Sequence, residues 1–327
     1  MTNYNCSIIV CCYNSAARLP ETLKFLALQE LKGIQCELII VDNNSSDNTS
    51  KVASECWKEF GAPFLLNIVE EKNPGLSNAR KKGIESALGD IIIFCDDDNH
   101  LSSNYVEGCY KVLNTKPEIG AMCGASIGKS DIDFPIWFYT YQKAYAVGVF
   151  GLNSQDVTSH GWIWGAGMAF RKSLFLNLVN SGFQHLLLDR KGNELSSGGD
   201  VEMCKWFILA GYKLWYEDSI YFYHQIPKER LNIEYIKRGE VEYSNNVRHI
   251  LNTYDVIIYQ MSGKNSFKYF MFSMLKLIYH LLLNRITDTD RLFVSSILWS
   301  LGIIDKKSDY AKVRTAICQY RTPTQRD

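Results

Sequence analysis

The sequence predicts an α/β protein with a mainly parallel sheet flanked by helices and a helical extension at its C-terminus. Over residues 1–100, short apolar runs alternate with amphipathic stretches, which is typical of chains that form parallel sheets. One run, residues 90–95, is apolar on both faces, as expected of a strand at the centre of a sheet. The 327 residues, of which 46% are hydrophobic, suffice for one large domain with an extension or for two modest domains.

The predicted elements alternate between strand and helix through the N-terminal part of the chain. They are strand 7–12, helix 16–29, strand 37–41, helix 48–60, strand 64–69, helix 75–88 and strand 90–95. After a middle region rich in aromatic residues and glycine, the sequence predicts helix 200–210, strands near 213–216 and 220–224, and a mostly polar helical stretch over 227–250. Because open parallel sheets bind ligands at the carboxyl ends of their strands, we expect the site in the polar turns there.

The composition excludes some classes of protein. Lysine plus arginine equals aspartate plus glutamate at 35 each, and the missing basic excess argues against a nucleic-acid partner. The ten cysteines form no CxxC pair, which argues against a zinc knuckle or a redox motif. Cysteines within apolar runs, together with an N-terminus that shows no signal peptide, predict a cytoplasmic protein in a reducing compartment.

The C-terminal residues 264–327 differ in charge from the rest of the chain. They hold 11 basic and 5 acidic residues, whereas residues 1–263 hold 24 basic and 30 acidic ones. Residues 267–283 carry a polar stripe at helical spacing, and the apolar run 292–304 is shorter than the roughly 20 residues needed to span a bilayer. The pattern favours a helix pair that lies in the interface at the inner face of the cell membrane. Packing of these helices as ordinary core is the alternative.

Three adjacent carboxylates, Asp96, Asp97 and Asp98, follow the apolar run 90–95 directly. Like charges at this spacing repel one another, so a cation nearby would offset the cost of keeping them. Hard divalent cations take oxygen ligands, usually one or two carboxylates plus substrate phosphates. A solvated acidic turn is the alternative, but the position after a buried strand favours a metal site.

A second acidic group stands at the predicted start of helix 200–210. Two glycines precede Asp200, and glycine lets a backbone or a ligand approach closely. A carboxylate at the mouth of a site could take a proton from an attacking hydroxyl group. Asp200 could instead be the N-cap of the helix.

These stretches occur in the order of a known family. The chain resembles glycosyltransferase family 2, inverting transferases with the Rossmann-like GT-A fold, and the resemblance covers roughly residues 5–225. It implies a GT-A catalytic domain at 1–226 and a helical extension at 227–327. The stretches that carry it are residues 8–15, 40–49, 73–80, 96–98 and 199–202.

The resemblance implies a nucleotide-binding role for the first stretches. The loop at Tyr13 and Asn14 and the turn at Asp42 match positions that hold the base, and a carboxylate can accept a hydrogen bond from a uracil N–H. The family often has a second acid where this chain has Asn43. A helix-surface salt bridge is the alternative for Arg80. The residues expected to bind the nucleotide are Tyr13, Asn14, Asp42, Arg80, Asp96 and Asp97.

The resemblance also implies the metal ligands and the base. Asp96 and Asp98 match the D-x-D motif, which holds Mg²⁺ or Mn²⁺ against the donor diphosphate in similar enzymes. His224 matches a further metal or phosphate ligand, with a satisfied core histidine as the equal alternative. Asp200 matches the general base of a single displacement, which inverts the configuration of the transferred sugar.

On the acceptor side, the resemblance points to the stretch 161–165. Aromatic faces stack on the apolar C–H surface of sugars, so Trp162 and Trp164 are expected as platforms, although buried tryptophan as core is the alternative. Glu202 is assigned to the acceptor side as well.

The expected reaction moves a sugar from a nucleoside diphosphate, most simply a UDP-sugar, to a glycan or a lipid-linked acceptor. A sugar nucleotidyltransferase is one alternative, but the N-terminal loop lacks the glycine-rich phosphate motif of that class. A non-catalytic carbohydrate-binding protein is another, and it would have lost acids that are all present here. No QxxRW motif occurs, which argues against a processive polymer synthase.

Overall fold

The fold was analysed in a computed structural model, which describes residues 4–187, 189 and 197–247 and scattered positions from 250 to 315. The strands are β1 Cys6–Cys12, β2 Cys36–Asp42, β3 Leu65–Glu70, β4 Ile91–Asp96, β5 Asn99–Leu101, β6 Ile119–Lys129, β7 Gln155–Asp156, β8 Ala169–Arg171 and β9 Lys213–Gln225. The α-helices are α1 Leu19–Ala27, α2 Thr49–Glu59, α3 Leu76–Ser86, α4 Tyr105–Thr115, α5 Phe138–Tyr141, α6 Lys172–Asn180, α7 Gly199–Leu209 and α8 Ile233–Asn246. Short 3₁₀ turns span Gln142–Tyr145, Thr158–His160 and Lys228–Arg230.

The strands form one mixed sheet in the order β3-β2-β1-β4-β8-β6-β9-β5, with β7 paired to β9. The first four strands are parallel, as the sequence predicted. β8 then runs antiparallel to both β4 and β6, while β6 and β9 are parallel to each other. The expectation of a mainly parallel sheet is therefore confirmed, with the antiparallel pairs confined to the short strands β5, β7 and β8.

The strands β1, β2 and β4 are buried on both faces. β1 places Ile8 and Val10 in a core cluster with α1, α2 and α4, and Ile9 in a second cluster that includes α3. α3 approaches the sheet closely at Gly83, where a Cβ atom would lie 2.5 Å from Cγ2 of Ile9. This packing leaves the carboxyl ends of β1, β2 and β4 at one edge of the sheet, where polar turns follow all three strands.

Two predicted elements differ from the structure. The helix predicted over 16–29 is shorter, because the backbone N–H groups of Ser15 and Ala16 donate to Thr49 and Asp47 in the turn after β2. The two strands predicted near 213–216 and 220–224 are one long strand, β9, whose register against β6 shifts between its two halves. Strands β5, β6 and β8 and helices α4 and α6 were not predicted.

The chain after β9 packs against α7. α8 lies within the helical stretch predicted over 227–250. Val247, Leu251 and Tyr254 are buried in the cluster that also contains Trp206 of α7. The division of the chain at residue 226 stays a prediction, and most of residues 264–327, with their predicted interface helices, lies outside the described residues. None of the helices in the described part of the chain has the length and apolar character that crossing a bilayer requires.

Candidate active site

A cleft of about 1270 Å³ lies at the carboxyl edge of the parallel strands. Its lining comes from the turns after β1, β2 and β4, the loop before β8, the N-terminus of α7, the end of β9 and one face of α8. Of the residues that the sequence predicted for the site, the cleft is lined by Tyr13, Arg80, Asp96, Asp97, Asp98, Trp162, Trp164, Asp200 and His224.

Asp96 ends β4 and faces Arg80 of α3. One carboxylate oxygen of Asp96 lies 4.0 Å from Nη2 of Arg80, and 36% of the Asp96 side chain is exposed. Burial raises the pKa of Asp96 and the Asp98 charge adds to this, while the Arg80 charge opposes it. A cation in the cleft would therefore stabilise the ionised form of Asp96.

Asp98 lies between two basic groups. The pairing of β5 with β9 places His224 opposite Asn99, and Nε2 of His224 lies 3.6 Å from Oδ1 of Asp98. Nη1 of Arg230, in the 3₁₀ turn after β9, lies 3.7 Å from the other oxygen. Burial acts to raise the pKa of Asp98, but His224 and Arg230 outweigh it and hold that pKa at about 2. Asp98 in turn raises the pKa of His224 against the effect of burial.

These side chains fit a divalent cation that is shared with a substrate. Within the described residues, no three His, Cys, Asp or Glu side chains converge closely enough to hold an ion by themselves. Mg²⁺ commonly takes one or two carboxylates and completes its shell with phosphate oxygens and water. Nδ1 of His224 is buried without a hydrogen-bond partner among the described residues, and Nε2 lies beside Oδ1 of Asp98. Asp96, Asp98 and His224 are thus the residues that could hold the ion.

The middle acid has a different position. The carboxylate of Asp97 accepts hydrogen bonds from the Ser15 hydroxyl group and from Nη2 of Arg18, the latter at 2.6 Å. Arg18 also donates to the carbonyl oxygens of Tyr13 and Asn14, both at 3.1 Å. Asp97 therefore anchors the loop after β1 to the turn after β4. Both contacts are made by Oδ2, and Asp97 also lines the cleft, so its predicted contact with the nucleotide stays a prediction.

The loop after β1 presents an aromatic ring to the cleft. Tyr13 is 48% exposed there. Asn14 adopts a left-handed conformation with φ of 50°, and its side-chain oxygen accepts a hydrogen bond from the Ser46 N–H at 2.8 Å. Asn14 thus joins the turn after β2 to this loop, beside the lining rather than within it.

Asp42 also lies outside the lining of the cleft. Its carboxylate accepts hydrogen bonds from the Ser45 N–H and the Ser50 hydroxyl group, so it shapes the turn after β2. The next residue, Asn43, does line the cleft and accepts a hydrogen bond from the Gly75 N–H at 2.8 Å. In the structure, Asn43 and Asn44 rather than Asp42 are the residues of this turn that border the cleft.

Arg80 is held between acidic and aromatic groups. Its side chain is 12% exposed, and its Nη1 lies 3.3 Å from Oδ2 of Asp189. The guanidinium carbon lies 5.0 Å from the centre of the Phe94 ring. The predicted alternative, a salt bridge on a helix surface, does not apply, because this guanidinium group is buried at the cleft. The sequence did not predict Asp189, whose one signal was an isolated acid after the apolar residues 186–188.

Asp200 lies in the first turn of α7 and faces the cleft. Its Oδ2 accepts a hydrogen bond from the Gly165 N–H at 2.7 Å, and its Oδ1 accepts one from the Val201 N–H at 2.8 Å. Burial raises the pKa of Asp200, Asp189 raises it further, and Arg80 opposes them. A carboxylate that holds a proton more firmly than usual is better suited to accept one from a hydroxyl group.

The two predicted aromatic platforms border the same cleft. Trp162 and Trp164 lie edge to face with ring centres 5.9 Å apart, and both contact Phe150. Trp164 is only 5% exposed, so its ring contributes mainly to the core, whereas Trp162 is partly exposed. Of the two rings, Trp162 has the larger surface available to a ligand.

The acceptor-side role predicted for Glu202 is wrong. Its side chain is fully buried on the far side of α7. The carboxylate accepts hydrogen bonds from the backbone N–H groups of Leu186 and Leu187 and from the Tyr254 hydroxyl group at 2.6 Å. Glu202 therefore ties α7 to the preceding segment and to the chain after α8.

α8 contributes lining residues that the sequence analysis missed. Tyr235, Gly239 and Tyr243 line the cleft at intervals of four residues, together with Glu240. This spacing marks one helix face and was visible in the sequence, but nothing in the pattern indicated that the face would meet the site. Tyr145 secures this region, because its ring stacks on Tyr235 and its hydroxyl group donates to the Arg230 carbonyl oxygen at 2.7 Å.

Comparison with known proteins identifies relatives over part of the chain. The cholesterol galactosyltransferase of Borreliella burgdorferi is 33% identical over 107 residues, which cover 33% of this chain and 28% of that protein. The dolichyl-phosphate beta-glucosyltransferase of Homo sapiens is 34% identical over 114 residues, covering 33% of this chain and 35% of that protein. The chain thus spans about a third or less of the length of these relatives.

Solved structures match over nearly the whole chain at low identity. TarS 1–349 of S. aureus in complex with UDP-GlcNAc has a TM-score of 0.54 and 15% identity, and the match covers 97% of this chain and 90% of that one. This similarity confirms the predicted GT-A fold class. The family model for glycosyl transferase family 2 matches residues 7–178, which include the motifs after β1, β2 and β4. The chain therefore belongs to glycosyl transferase family 2.

Proposed function

We propose that the chain is an inverting glycosyltransferase that moves a sugar from a UDP-sugar to a hydroxyl group of a glycan or lipid-linked acceptor. One observation carries the proposal: Asp96, Asp98, Arg80 and Asp200 come from three separate elements and border a single cleft. The cleft of about 1270 Å³ has room for a nucleotide sugar together with part of an acceptor. The UDP-GlcNAc complex of the structurally similar TarS supports a uridine donor.

The donor nucleotide binds at the end of the cleft formed by the turns after β1 and β2. Tyr13 offers an exposed ring for the base, and Asn43 borders the same space. Arg80 and Arg230 supply positive charge on either side of the acids, where the diphosphate has to lie if it shares an ion with them.

Asp96 and Asp98 hold Mg²⁺ or Mn²⁺, with His224 as a further ligand. When bound, the ion neutralises the charge that grows on the leaving nucleoside diphosphate. The Asp96 side chain is partly exposed, so an ion in the cleft can reach its carboxylate. Before the ion binds, His224 and Arg230 lower the pKa of Asp98 to about 2, which favours its ionised form at neutral pH. His224 would release its proton on binding the ion.

Asp200 activates the acceptor. Its carboxylate takes the proton of the acceptor hydroxyl group while that oxygen forms a bond to the anomeric carbon of the sugar. The bond from the anomeric carbon to the diphosphate oxygen breaks in the same step, and its electron pair leaves with the diphosphate. Attack on the face opposite to the leaving group inverts the anomeric configuration. The Gly165 N–H holds Asp200 in place for this step.

We further propose that the acceptor is presented at a membrane surface, at the inner face of the cell membrane. The excess of basic residues in 264–327 favours attraction to anionic lipids. Relatives named for a dolichyl-phosphate and for an undecaprenyl-phosphate substrate support a lipid-linked acceptor.

The proposal is tested by assaying a panel of UDP- and GDP-sugars for hydrolysis and transfer, with Mn²⁺ or with EDTA. We expect one donor to turn over with Mn²⁺ and not with EDTA. Asp98→Asn should lower the rate by about 100-fold or more through loss of an ionised ligand, and Asp200→Asn should abolish transfer while donor binding persists. Asp133→Asn removes a carboxylate on the exposed surface and serves as the matched control.

Donor turnover that is indifferent to EDTA and to Asp98→Asn would contradict the metal assignment. Full transfer by Asp200→Asn would contradict the base assignment. Anomeric configuration of the product, read by NMR, decides between inversion and retention.

A further inference from the structure

Asp189 connects two parts of the active site that are far apart in sequence. Its Oδ1 accepts a hydrogen bond from the Gly199 N–H at 2.8 Å, at the first residue of α7. Its Oδ2 lies 3.3 Å from Nη1 of Arg80 on α3. Ser77, one turn before Arg80, contacts the same carboxylate through its hydroxyl group at 3.4 Å and accepts the Asp189 N–H at 3.3 Å. Asp189 is 6% exposed, so these contacts are made away from bulk water.

The space around these contacts is tightly filled. A Cβ atom on Gly199 would lie 2.5 Å from the Asp189 carboxylate. A Cβ atom on Gly165 would lie 2.7 Å from Nη2 of Arg80 and 2.9 Å from Oδ2 of Asp200. Arg80 and Asp200 therefore lie close together. Asp189 contacts both the guanidinium group of Arg80 and the end of α7 that carries Asp200.

We propose that Asp189 is a positioning residue for the transfer reaction: it fixes Arg80 between Asp96 and Asp200 and anchors the N-terminus of α7, which sets the position and the charge environment of the base. This inference rests on the proposed function for its catalytic meaning. The carboxylate satisfies an N–H group at the start of α7, where negative charge is favoured by the helix dipole. It also balances a buried guanidinium group that would otherwise act on Asp96 and Asp200 alone.

The charge of Asp189 has an effect that a purely structural group would lack. Among the residues that the structure describes, the charged groups around Asp200 are Asp189, Arg80 on α3 and, beyond Arg80, Asp96 at the end of β4. Asp189 raises the pKa of Asp200 and Arg80 lowers it. Removing the Asp189 charge frees Arg80 to interact more strongly with Asp200, so both changes favour the ionised form of Asp200.

A single amide resonance can report this effect without any substrate. The Gly165 N–H donates to Asp200, so its chemical shift follows the protonation of that carboxylate. Trp164 and Gly165 form the one Trp-Gly pair in the sequence, so labelling tryptophan with ¹³C at the carbonyl and glycine with ¹⁵N isolates this resonance. The measurement is a pH titration of the full chain carrying Asp189→Asn, with wild type and Asp133→Asn as references.

We expect the midpoint of the Gly165 titration to move to lower pH in Asp189→Asn and to stay unchanged in Asp133→Asn. We also expect kcat for transfer to fall by about 10- to 100-fold with a smaller change in donor KM, because the base and Arg80 lose their fixed geometry. An unchanged midpoint in a folded Asp189→Asn chain would overturn the proposal.

Asp189→Glu covers the case in which the asparagine variant fails to fold. It keeps the charge and displaces the carboxylate by one methylene group, so the midpoint should stay near that of wild type while kcat falls. Wild-type kcat in this variant would overturn the positioning role. If the wild-type chain turns over no nucleotide sugar, the proposed function fails, whereas the Gly165 titration still decides whether Asp189 controls Asp200.

Discussion

Asp200 has to be ionised to accept a proton. The groups around Asp200 set its pKa and therefore the pH above which it is ionised. Burial and the neighbouring Asp189 raise its pKa, and Arg80 offsets part of that effect. Below this raised pKa, one added proton removes the base. We therefore expect log kcat/KM to fall with a slope of about one per pH unit as pH decreases through it, at a pH above the usual aspartate range.

The measurement is a pH profile of kcat/KM at saturating Mn²⁺, with tryptophan fluorescence recorded at each pH to follow unfolding. A profile that stays flat until the protein unfolds would speak against Asp200 as the base. The control is donor binding measured at each pH, because the pKa of the metal ligand Asp96 is also raised and its protonation would weaken metal and donor binding. Loss of kcat/KM at a pH where the donor still binds is assigned to Asp200.

A side chain at position 165 would disturb Arg80 and Asp200, which lie on either side of Gly165. A Cβ atom there would lie 2.7 Å from Nη2 of Arg80 and 2.9 Å from Oδ2 of Asp200. We expect Gly165→Ala to push the two groups apart and lower kcat by about 10- to 100-fold. The variant is assayed beside wild type, and its thermal unfolding midpoint shows whether the loss is local. Wild-type kcat would show that the site tolerates this displacement.

At the scale of elements, three of the strands predicted from sequence, β1, β2 and β4, have apolar residues on both faces. Residues of β1, β2 and β4 form continuous apolar runs because both sides of these strands are covered. β6 gave no such pattern, since glycines interrupt it at positions 120, 124 and 128. Those glycines are needed for close packing: a Cβ atom on Gly120 would lie 2.9 Å from Cβ of Phe207, and one on Gly124 would lie 2.5 Å from the Ile220 carbonyl oxygen.

The candidate site was predicted where motifs are local and missed where contacts are formed only by folding. Asp96, Asp98 and Asp200 stand in short patterns that the family shares. Asp189 has no pattern around it, and its partners on α3 and α7 become neighbours only in the folded chain. The error at Glu202 was avoidable, because residues two apart on a helix point to different sides, so Asp200 in the cleft places Glu202 away from it.

The buried position of Glu202 makes α7 sensitive to a small change. Glu202→Gln keeps the shape but turns an oxygen acceptor into an N–H₂ donor among the N–H groups of Leu186 and Leu187 and the Tyr254 hydroxyl group. We expect the free energy of unfolding to fall by about 1–3 kcal/mol, measured by urea denaturation. The control is Glu59→Gln at the exposed end of α2, which should change stability by less than about 0.5 kcal/mol. Equal stabilities would mean that the amide finds acceptors by rotation.

At the scale of the whole molecule, the cleft is lined by residues from the N-terminal strands and from the chain after β9. The N-terminal strands supply turns that line one end of the cleft, and Arg230 and α8, which follow β9, complete the lining. Val247, Leu251 and Tyr254 then pack in the core beside α7. The segment that carries the basic excess, residues 264–327, therefore follows a part of the chain that is anchored next to the site.

Membrane attachment through residues 264–327 would depend on their positive charge. This dependence can be measured as vesicle binding by the full chain. Residues 264–327 hold 11 basic and 5 acidic residues, and each basic residue near an anionic surface contributes about 1 kcal/mol. We expect cosedimentation with phosphatidylglycerol vesicles and none with pure phosphatidylcholine vesicles. Reversing Lys306, Lys307 and Lys312 to glutamate should weaken vesicle binding by at least about tenfold.

The matched control reverses Lys51, Lys58 and Lys81, three exposed lysines on α2 and α3, and changes the net charge by the same amount. If both triple variants lose binding equally, attraction depends on the total charge of the protein and not on the C-terminal segment. If neither loses binding, the interaction is not electrostatic, because the three changes leave residues 264–327 with as many acidic as basic residues and so without a net positive charge to attract anionic lipids. Retained binding by the control and lost binding by the C-terminal variant would assign the attachment to residues 264–327, which brings the cleft close to acceptors that reside in the bilayer.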